Sequence, residues 1–340
     1  MKSLVRLPSL PPSVGALERA LAHDGVSALD PSVPAAVWRR ALAGPASEFL
    51  SRPGKELRTS IVRAGWILGG GAAAALPPSL PLVIELLHAG SLIIDDVEDG
   101  GSERRGAPAL HHLVGMPLAI NTGSWMYFWA LAELSTLGLP PERELAAHRM
   151  AATTLVRCHQ GQALDLATHI VDLAPADVPN VVAATTRLKT GALCRFAAEL
   201  GAVAAGAEEP VREAVARFAE AMGIGLQMLD DLGSLVSAAR RDKAREDLLE
   251  GRPTWPWAWL AEQAPFAWNR LSSVSRAVVA GSGDVDELAD ALAAAIGETG
   301  RARVRDMLDG ALADLIAAVG DSSVTKMIAS ELSRMEASYG

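Results

Sequence analysis

Cysteine is nearly absent: Cys158 and Cys194 are the two among 340 residues. Two such thiols make neither a disulfide framework nor a metal signature. They fit small buried side chains in a reducing cytoplasm. Aromatic residues are scarce too, at 4 %. That scarcity, beside abundant Ala and Leu, disfavours sheet and favours helix. Basic residues are outnumbered, 31 Lys and Arg against 40 Asp and Glu, for a net charge of −9. No nucleic-acid partner is therefore expected, and an anion site would have to gather its few cations locally. Long apolar runs are missing as well. The most apolar stretch, Leu80 to Ile94, contains Pro81, Glu85 and His88 and falls short of the ~20 residues that cross a bilayer. No stable membrane insertion is expected. The opening MKSLVRLPSLPPSV lacks the apolar core of a signal peptide.

What is present is hydrophobic material, half of the chain, with apolar residues recurring at three and four rather than two. Residues 1–35 are Pro-rich and read as a partly ordered arm. Residues 36–340 read as one domain, in which Gly and Pro breaks separate helical stretches. The breaks fall at Gly69–Gly71, Pro77-Pro78, Gly100-Gly101, Pro140-Pro141, Gly206 and Gly281–Gly283. The pattern predicts about ten or more helices and no sheet. Val181 to Gly201 and Pro210 to Leu235 are expected as long, largely apolar helices inside a bundle.

The sharpest signal lies between Glu85 and Asp99. At 100° per residue, His88, Ser91, Asp95 and Asp99 fall within a ~80° arc of a helix, with Asp96 alongside. Gly100 and Gly101 then end that helix. The acids thus sit at a helix C-terminus, where the dipole is already negative. Like charges ~4 Å apart repel by about 4 kcal/mol at an effective dielectric of 20, so the arrangement calls for a cation. Flexible all-oxygen donors suit a hard divalent ion, Mg²⁺ if phosphates share the site. A solvated acidic helix end is the plainer reading of the same residues. Against it stand the apolar run before them and the Arg104-Arg105-Gly106 that follows, able either to neutralise the acids or to hold a diphosphate. A second segment, Gly223 to Ser234, repeats the design: an apolar helix carries Gln227, then Asp230 and Asp231, then Gly233. Two such acid pairs facing each other across a bundle cavity would hold a metal cluster.

With these residues in view, the chain resembles the trans-prenyl diphosphate synthases, the polyprenyl synthetase family, from about residue 50 to 260. Asp95-Asp96-Val97-Glu98-Asp99 matches the family's DDxxD, followed by Arg104-Arg105-Gly106 and Pro108. Gly54-Lys55-Glu56-Leu57-Arg58 resembles GKxxR, and His88 with Ser91 fits HxxS. Gly161-Gln162 with Asp165 is similar to GQxxD, Lys189-Thr190-Gly191 to KTG, and Gln227 to Asp231 to the second aspartate-rich region. Lys243, Asp247, Arg252 and Thr254 keep the spacing of the polar tail beyond it.

The resemblance implies an all-α helical bundle of the isoprenoid synthase type with a central apolar cavity. It implies joining of isopentenyl diphosphate to an allylic prenyl diphosphate, and a homodimer. Lys55, Arg58, His88 and Arg105 would bind isopentenyl diphosphate. Arg104, Lys189, Thr190, Gln227 and Lys243 would contact the allylic diphosphate. Asp95, Asp96, Asp99 and Asp230 would bind Mg²⁺, with Asp231 as an outer partner. Gly90 and Ser91, small residues one turn before the acids, leave a product tunnel open to about geranylgeranyl length, although Trp125 to Trp129 could floor it elsewhere.

The chain departs from the family pattern in three places. Ser234 replaces the last acid of the second region, Glu56 stands where a base is common, and Asn121-Thr122-Gly123-Ser124 replaces a Gly-Asp. Ser234 keeps two alternatives open. A class I terpene cyclase would use Asp230 and Ser234 as the start of a metal motif, although its third position falls on Ala238. A non-catalytic regulatory subunit of a synthase would tolerate a damaged second region. The set Lys55, Arg58, His88 and Arg105 favours the transferase, because a cyclase needs no second diphosphate site.

Overall fold

Leu80, Val83, Ile84 and Leu87 recur at helical spacing and are buried together in the helix Ser79–Glu98. In the computed structural model, which describes residues 29–54 and 57–339, this helix is the backbone of one of two compact units. That unit comprises residues up to Ala151 with Leu200–Ala207, and the other comprises Ala152–Glu199 with Glu208 onward. Most of the Pro-rich arm, residues 1–28, lies outside the described residues. No described helix is long and apolar enough to cross a membrane.

In the first unit, Ser79–Glu98 packs along Met116–Leu134 and touches Leu57–Leu68 and the short Leu110–Val114. The two long helices meet glycine to glycine. A Cβ on Gly90 would lie 2.7 Å from the Gly123 carbonyl oxygen, and one on Gly123 3.0 Å from that of Gly90. Phe49, Met126 and Trp129 fill the core beside this crossing. The buried Glu133 is satisfied there by the Trp129 indole, 2.8 Å from its Oε1.

The helix stops as expected. Gly100 takes φ 65°, Asp99 N–H donates to the Asp95 carbonyl at 2.8 Å, and Gly101 N–H reaches back to Asp96 at 2.9 Å. These are the bonds of a glycine-terminated helix end. Beyond it the structure departs from the expectation of no sheet. Glu103–Arg104 and Ala107–Pro108 form a small antiparallel ribbon, with Arg104 opposite Ala107. Positive φ at both Arg105 (56°) and Gly106 (78°) makes the tight mirror-image turn that two-residue hairpins require.

In the second unit, Glu209–Val236 lies against Val285–Val319. Trp257 and Trp259 of Trp255–Gln263 are buried in its core. The helix expected over Val181 to Gly201 is interrupted. Val178–Thr186 passes through one wide π-helical turn, Arg187–Gly191, into Ala192–Ala205. Gly161 explains how that turn is accommodated, since its missing Cβ would sit 2.6 Å from the Lys189 backbone nitrogen. Such turns recur at functional sites.

The glycine crossing generates a prediction. Gly90→Val drives a branched side chain into backbone that cannot swing away, and should cost about 1–3 kcal/mol or more. The urea midpoint should fall with an unchanged slope; a wild-type midpoint would contradict this account of the packing.

Candidate active site

The first acid group is built on the end of Ser79–Glu98. Asp95 and Asp99 are half-buried there, and Asp96 is only 1 % exposed. Arg104 reaches back from the ribbon to both neighbours, donating from Nε to Asp96 Oδ1 at 2.7 Å and from a terminal nitrogen to Asp95 Oδ2 at 3.2 Å. Burial raises the Asp96 carboxyl above its usual range, against the pull of Arg104. Its other oxygen, Oδ2, is buried without a hydrogen-bond partner.

A cationic group adjoins it in the same unit. Arg58 and His88 Nε2 are 2.9 Å apart. Arginine only donates, so His88 accepts and carries its ring proton on Nδ1. Burial, then Arg58, Arg105 and Arg104, hold the His88 pKa well below the ordinary 6.5. Arg105 sits 5.6 Å from the centre of the Phe49 ring. Burial lowers its pKa, Glu85 opposes that, and Arg58, Arg104 and Arg52 add to it. Several guanidinium groups crowded against one uncharged imidazole form a site that an anion would relieve. The structure thus brings together Arg58, His88, Arg104, Arg105, Asp95 and Asp96. Lys55 lies outside the described residues. Sequence reasoning missed Arg52, which is 7 % exposed and donates to the carbonyls of Arg104 at 3.0 Å and Pro108 at 2.8 Å. Its one signal is a basic residue directly before Pro53-Gly54, too slight to single it out.

The second unit holds the remaining candidates. Lys189, in the π-helical turn with Thr190, donates to Asp165 at 2.6 Å, and Arg252 approaches the same carboxylate at 3.7 Å. Asp230 is paired with Lys243 and Arg240. Burial pushes its carboxyl up, but these two cations prevail and hold it below the usual range. Asp231 differs. It is 6 % exposed, and its two oxygens accept from Gln227 Nε2 at 2.7 Å and from the Trp255 backbone N–H at 3.1 Å. Burial raises its pKa to about 6. It ties the second acid region to the start of Trp255–Gln263, and Gln227 is spent on holding it. Asp247 is likewise raised by burial, to about 7. Ser234 is 2 % exposed, and its hydroxyl donates to the Asp231 carbonyl at 2.8 Å.

Gly90 also bears on the tunnel argument. It is buried against the Gly123 carbonyl, so its small size serves helix packing. Trp125 stacks on Trp129 at 4.8 Å, while Phe128 is 69 % exposed.

The His88 geometry has a pH consequence. Unfolded His titrates near 6.5, above its folded value. The contribution of this site is intact above about pH 6.5 and is lost as pH falls from there toward the folded pKa. Nitrogen-15 NMR should find His88 uncharged and protonated on Nδ1 at pH 6. A ring titrating near 6.5 would contradict the assignment.

The polyprenyl synthetase family model matches residues 39–292. Geranylgeranyl pyrophosphate synthase 2 of Zymoseptoria tritici is 33 % identical over 219 residues, covering 63 % of this chain and 63 % of that protein. The match therefore spans less than two thirds of that relative's length. Geranylgeranyl pyrophosphate synthetase from Pyrococcus horikoshii Ot3 superposes with a TM-score of 0.76 at 21 % identity, over 94 % of each chain. Polyprenyl synthase from Caulobacter crescentus CB15, solved with calcium and isoprenyl diphosphate, gives 0.72 at 21 % identity, over 97 % of this chain and 98 % of that one. At these identities the likeness establishes the fold, the all-helical isoprenoid synthase architecture. Because the family match runs through both acid regions and the cations set beside them, the chain belongs to the polyprenyl synthetase family.

Proposed function

We propose that the chain is a Mg²⁺-dependent prenyltransferase. It condenses isopentenyl diphosphate with an allylic prenyl diphosphate into a longer trans-prenyl diphosphate, of geranylgeranyl length. The observation that carries this reading is the adjacency, in one unit, of two unlike groups. Arg58, His88 and Arg105 form a cationic group that suits a diphosphate directly. Asp95, Asp96 and Asp99 form an acid group that suits one through a metal.

Mg²⁺ fits the donor chemistry. Asp95 and Asp99 are hard oxygen donors four residues apart at a negative helix end, and Asp96 keeps a buried oxygen without a partner. Among the described residues no three His, Cys, Asp or Glu side chains close a metal site by themselves. The ion would complete its shell with water and phosphate oxygens, as Mg²⁺ prefers. Asp230 is the proposed ligand of the second region, and Asp231 positions it. When bound, Mg²⁺ supplies neutralisation of the charge that develops on the leaving diphosphate.

The chain's own residues do the rest. Arg58 and Arg105, with Lys55, anchor isopentenyl diphosphate, and uncharged His88 orients Arg58. Arg104, Lys189, Thr190 and Lys243 are assigned to the allylic diphosphate, while Gln227 holds Asp231 instead. The allylic C–O bond breaks with its electron pair going to diphosphate. The double bond of isopentenyl diphosphate attacks the cation and forms the new C–C bond. The proton lost from the product passes to the departed diphosphate. Apolar helix faces exclude the water that would quench the cation.

A terpene cyclase on the same scaffold is less well supported. It would need the Ser234 hydroxyl as a ligand, yet that group is buried and bonded to its own helix. The reading also makes the enzyme cytoplasmic and homodimeric. Leu113, Met116, Ile120 and Phe128 support a subunit contact, being 49 %, 54 %, 42 % and 69 % exposed around one helix and its approach.

Two outcomes test the proposal. Purified protein given isopentenyl and farnesyl diphosphates should make geranylgeranyl diphosphate only with Mg²⁺, and Asp95→Ala should lower the rate about a hundredfold or more. Hydrocarbon from one substrate alone, or turnover indifferent to Asp95→Ala, would refute it. In light scattering, the wild type should run at twice the monomer mass and Phe128→Glu should shift toward monomer. A monomeric wild type removes the dimer assignment.

A further inference from the structure

Arg52 is the most buried arginine near the cationic group, 7 % exposed, and every nitrogen of its guanidinium is engaged. Nε donates to Glu48 Oε1 at 3.0 Å, and one terminal nitrogen donates to Glu48 Oε2 at 2.8 Å and to the Pro108 carbonyl at 2.8 Å. The other terminal nitrogen donates to the Arg104 carbonyl at 3.0 Å. The two carbonyls belong to the two strands of the ribbon, Glu103–Arg104 and Ala107–Pro108. A single planar group therefore clasps both strands from outside. Arginine can do this because its donors form a rigid fork.

The turn between those strands needs support. Its first central residue is Arg105, at φ 56°, the one described residue other than glycine with positive φ. Asn, Asp or Gly is the usual choice there, and a long side chain in that region is strained. An arginine at this place is accounted for if its guanidinium is wanted where the turn points it. Phe49 links the two groups, with the Arg52 and Arg105 guanidinium carbons 5.1 and 5.6 Å from its ring centre. Glu48, Phe49 and Arg52 lie at or just beyond the end of one helix, Gly44–Leu50, so the clasp is anchored to the packed core.

We propose that Arg52 is a positioning residue for diphosphate binding: by clasping the Glu103–Pro108 ribbon it fixes the strained turn that presents Arg105 to the anion. This rests on the reading of Arg58, His88 and Arg105 as a diphosphate site, and it adds a residue that touches no substrate.

The experiment is a double-mutant cycle on the full chain, with inorganic pyrophosphate binding followed by calorimetry. Arg52→Met and Arg105→Met should each weaken binding about tenfold. The double variant should be no worse than Arg105→Met alone, because Arg52 acts through Arg105. Arg52→Lys, which cannot clasp two strands and Glu48 together, should not restore binding. Circular dichroism should show all variants folded, and Glu48→Gln, which leaves the ribbon bonds in place, should bind nearly as the wild type does. Additive losses, full rescue by lysine, or a wild type that does not bind pyrophosphate would each overturn the proposal. Turnover of isopentenyl diphosphate is scored separately. A wild type that turns over both substrates while the cycle is additive removes the role of Arg52 and leaves the prenyltransferase reading standing.

Discussion

Arg104 bonded to Asp95 and Asp96 is the interaction on which the first unit's chemistry depends. Carboxylates crowded at the negative end of a helix are tolerable only beside positive charge, and the ribbon brings that charge back. The second unit solves the same problem with other residues, Lys243 and Arg240 on Asp230 and Lys189 on Asp165. In each case a cation assigned to the allylic diphosphate is stored on a carboxylate. On the proposed reading, Asp95, Asp96 and Asp230 would hold the divalent ions and Arg104, Lys189 and Lys243 the phosphate oxygens, so that each group would keep an opposite charge beside it with and without substrate.

The two members of each acid pair are held differently. Asp231 is locked by Gln227 and by the Trp255 backbone, and burial makes it hard to ionise. Asp230, held by Lys243 and Arg240, is the more exposed member of the pair. In the first unit Asp96 is similarly enclosed, whereas Asp95 and Asp99 are less so. Each acid pair thus has one enclosed member, Asp96 or Asp231, and one more exposed, Asp95 or Asp230.

Much of this was legible in the sequence because it depends on spacing. The periodicity of Leu80 to Ile94 and the stop at Gly100 found their counterparts in the structure, and Arg58, His88, Arg104 and Arg105 gather beside Asp95 and Asp96. What could not be read depends on contacts between distant segments. Arg52 carries no pattern, since the carbonyls it clasps lie more than fifty residues away at Arg104 and Pro108. The π-helical turn at Arg187–Gly191 follows from a glycine in another helix, Gly161. The ribbon was missed because an arginine occupies the turn position where Asn or Gly would have announced it. Ser234 looked like a lost ligand, and its burial against its own helix shows a side chain serving the fold.

The meeting of Gly90 with Gly123 limits what this lineage can become. Where two backbones touch, neither position can accept a larger residue without its partner helix retreating, and Ile94 already crowds Gly123 from the same side. Substitution at residue 90 by anything larger is therefore closed to descendants of this sequence. Change along this helix has to be sought at neighbours such as Ser91, which is only half-buried.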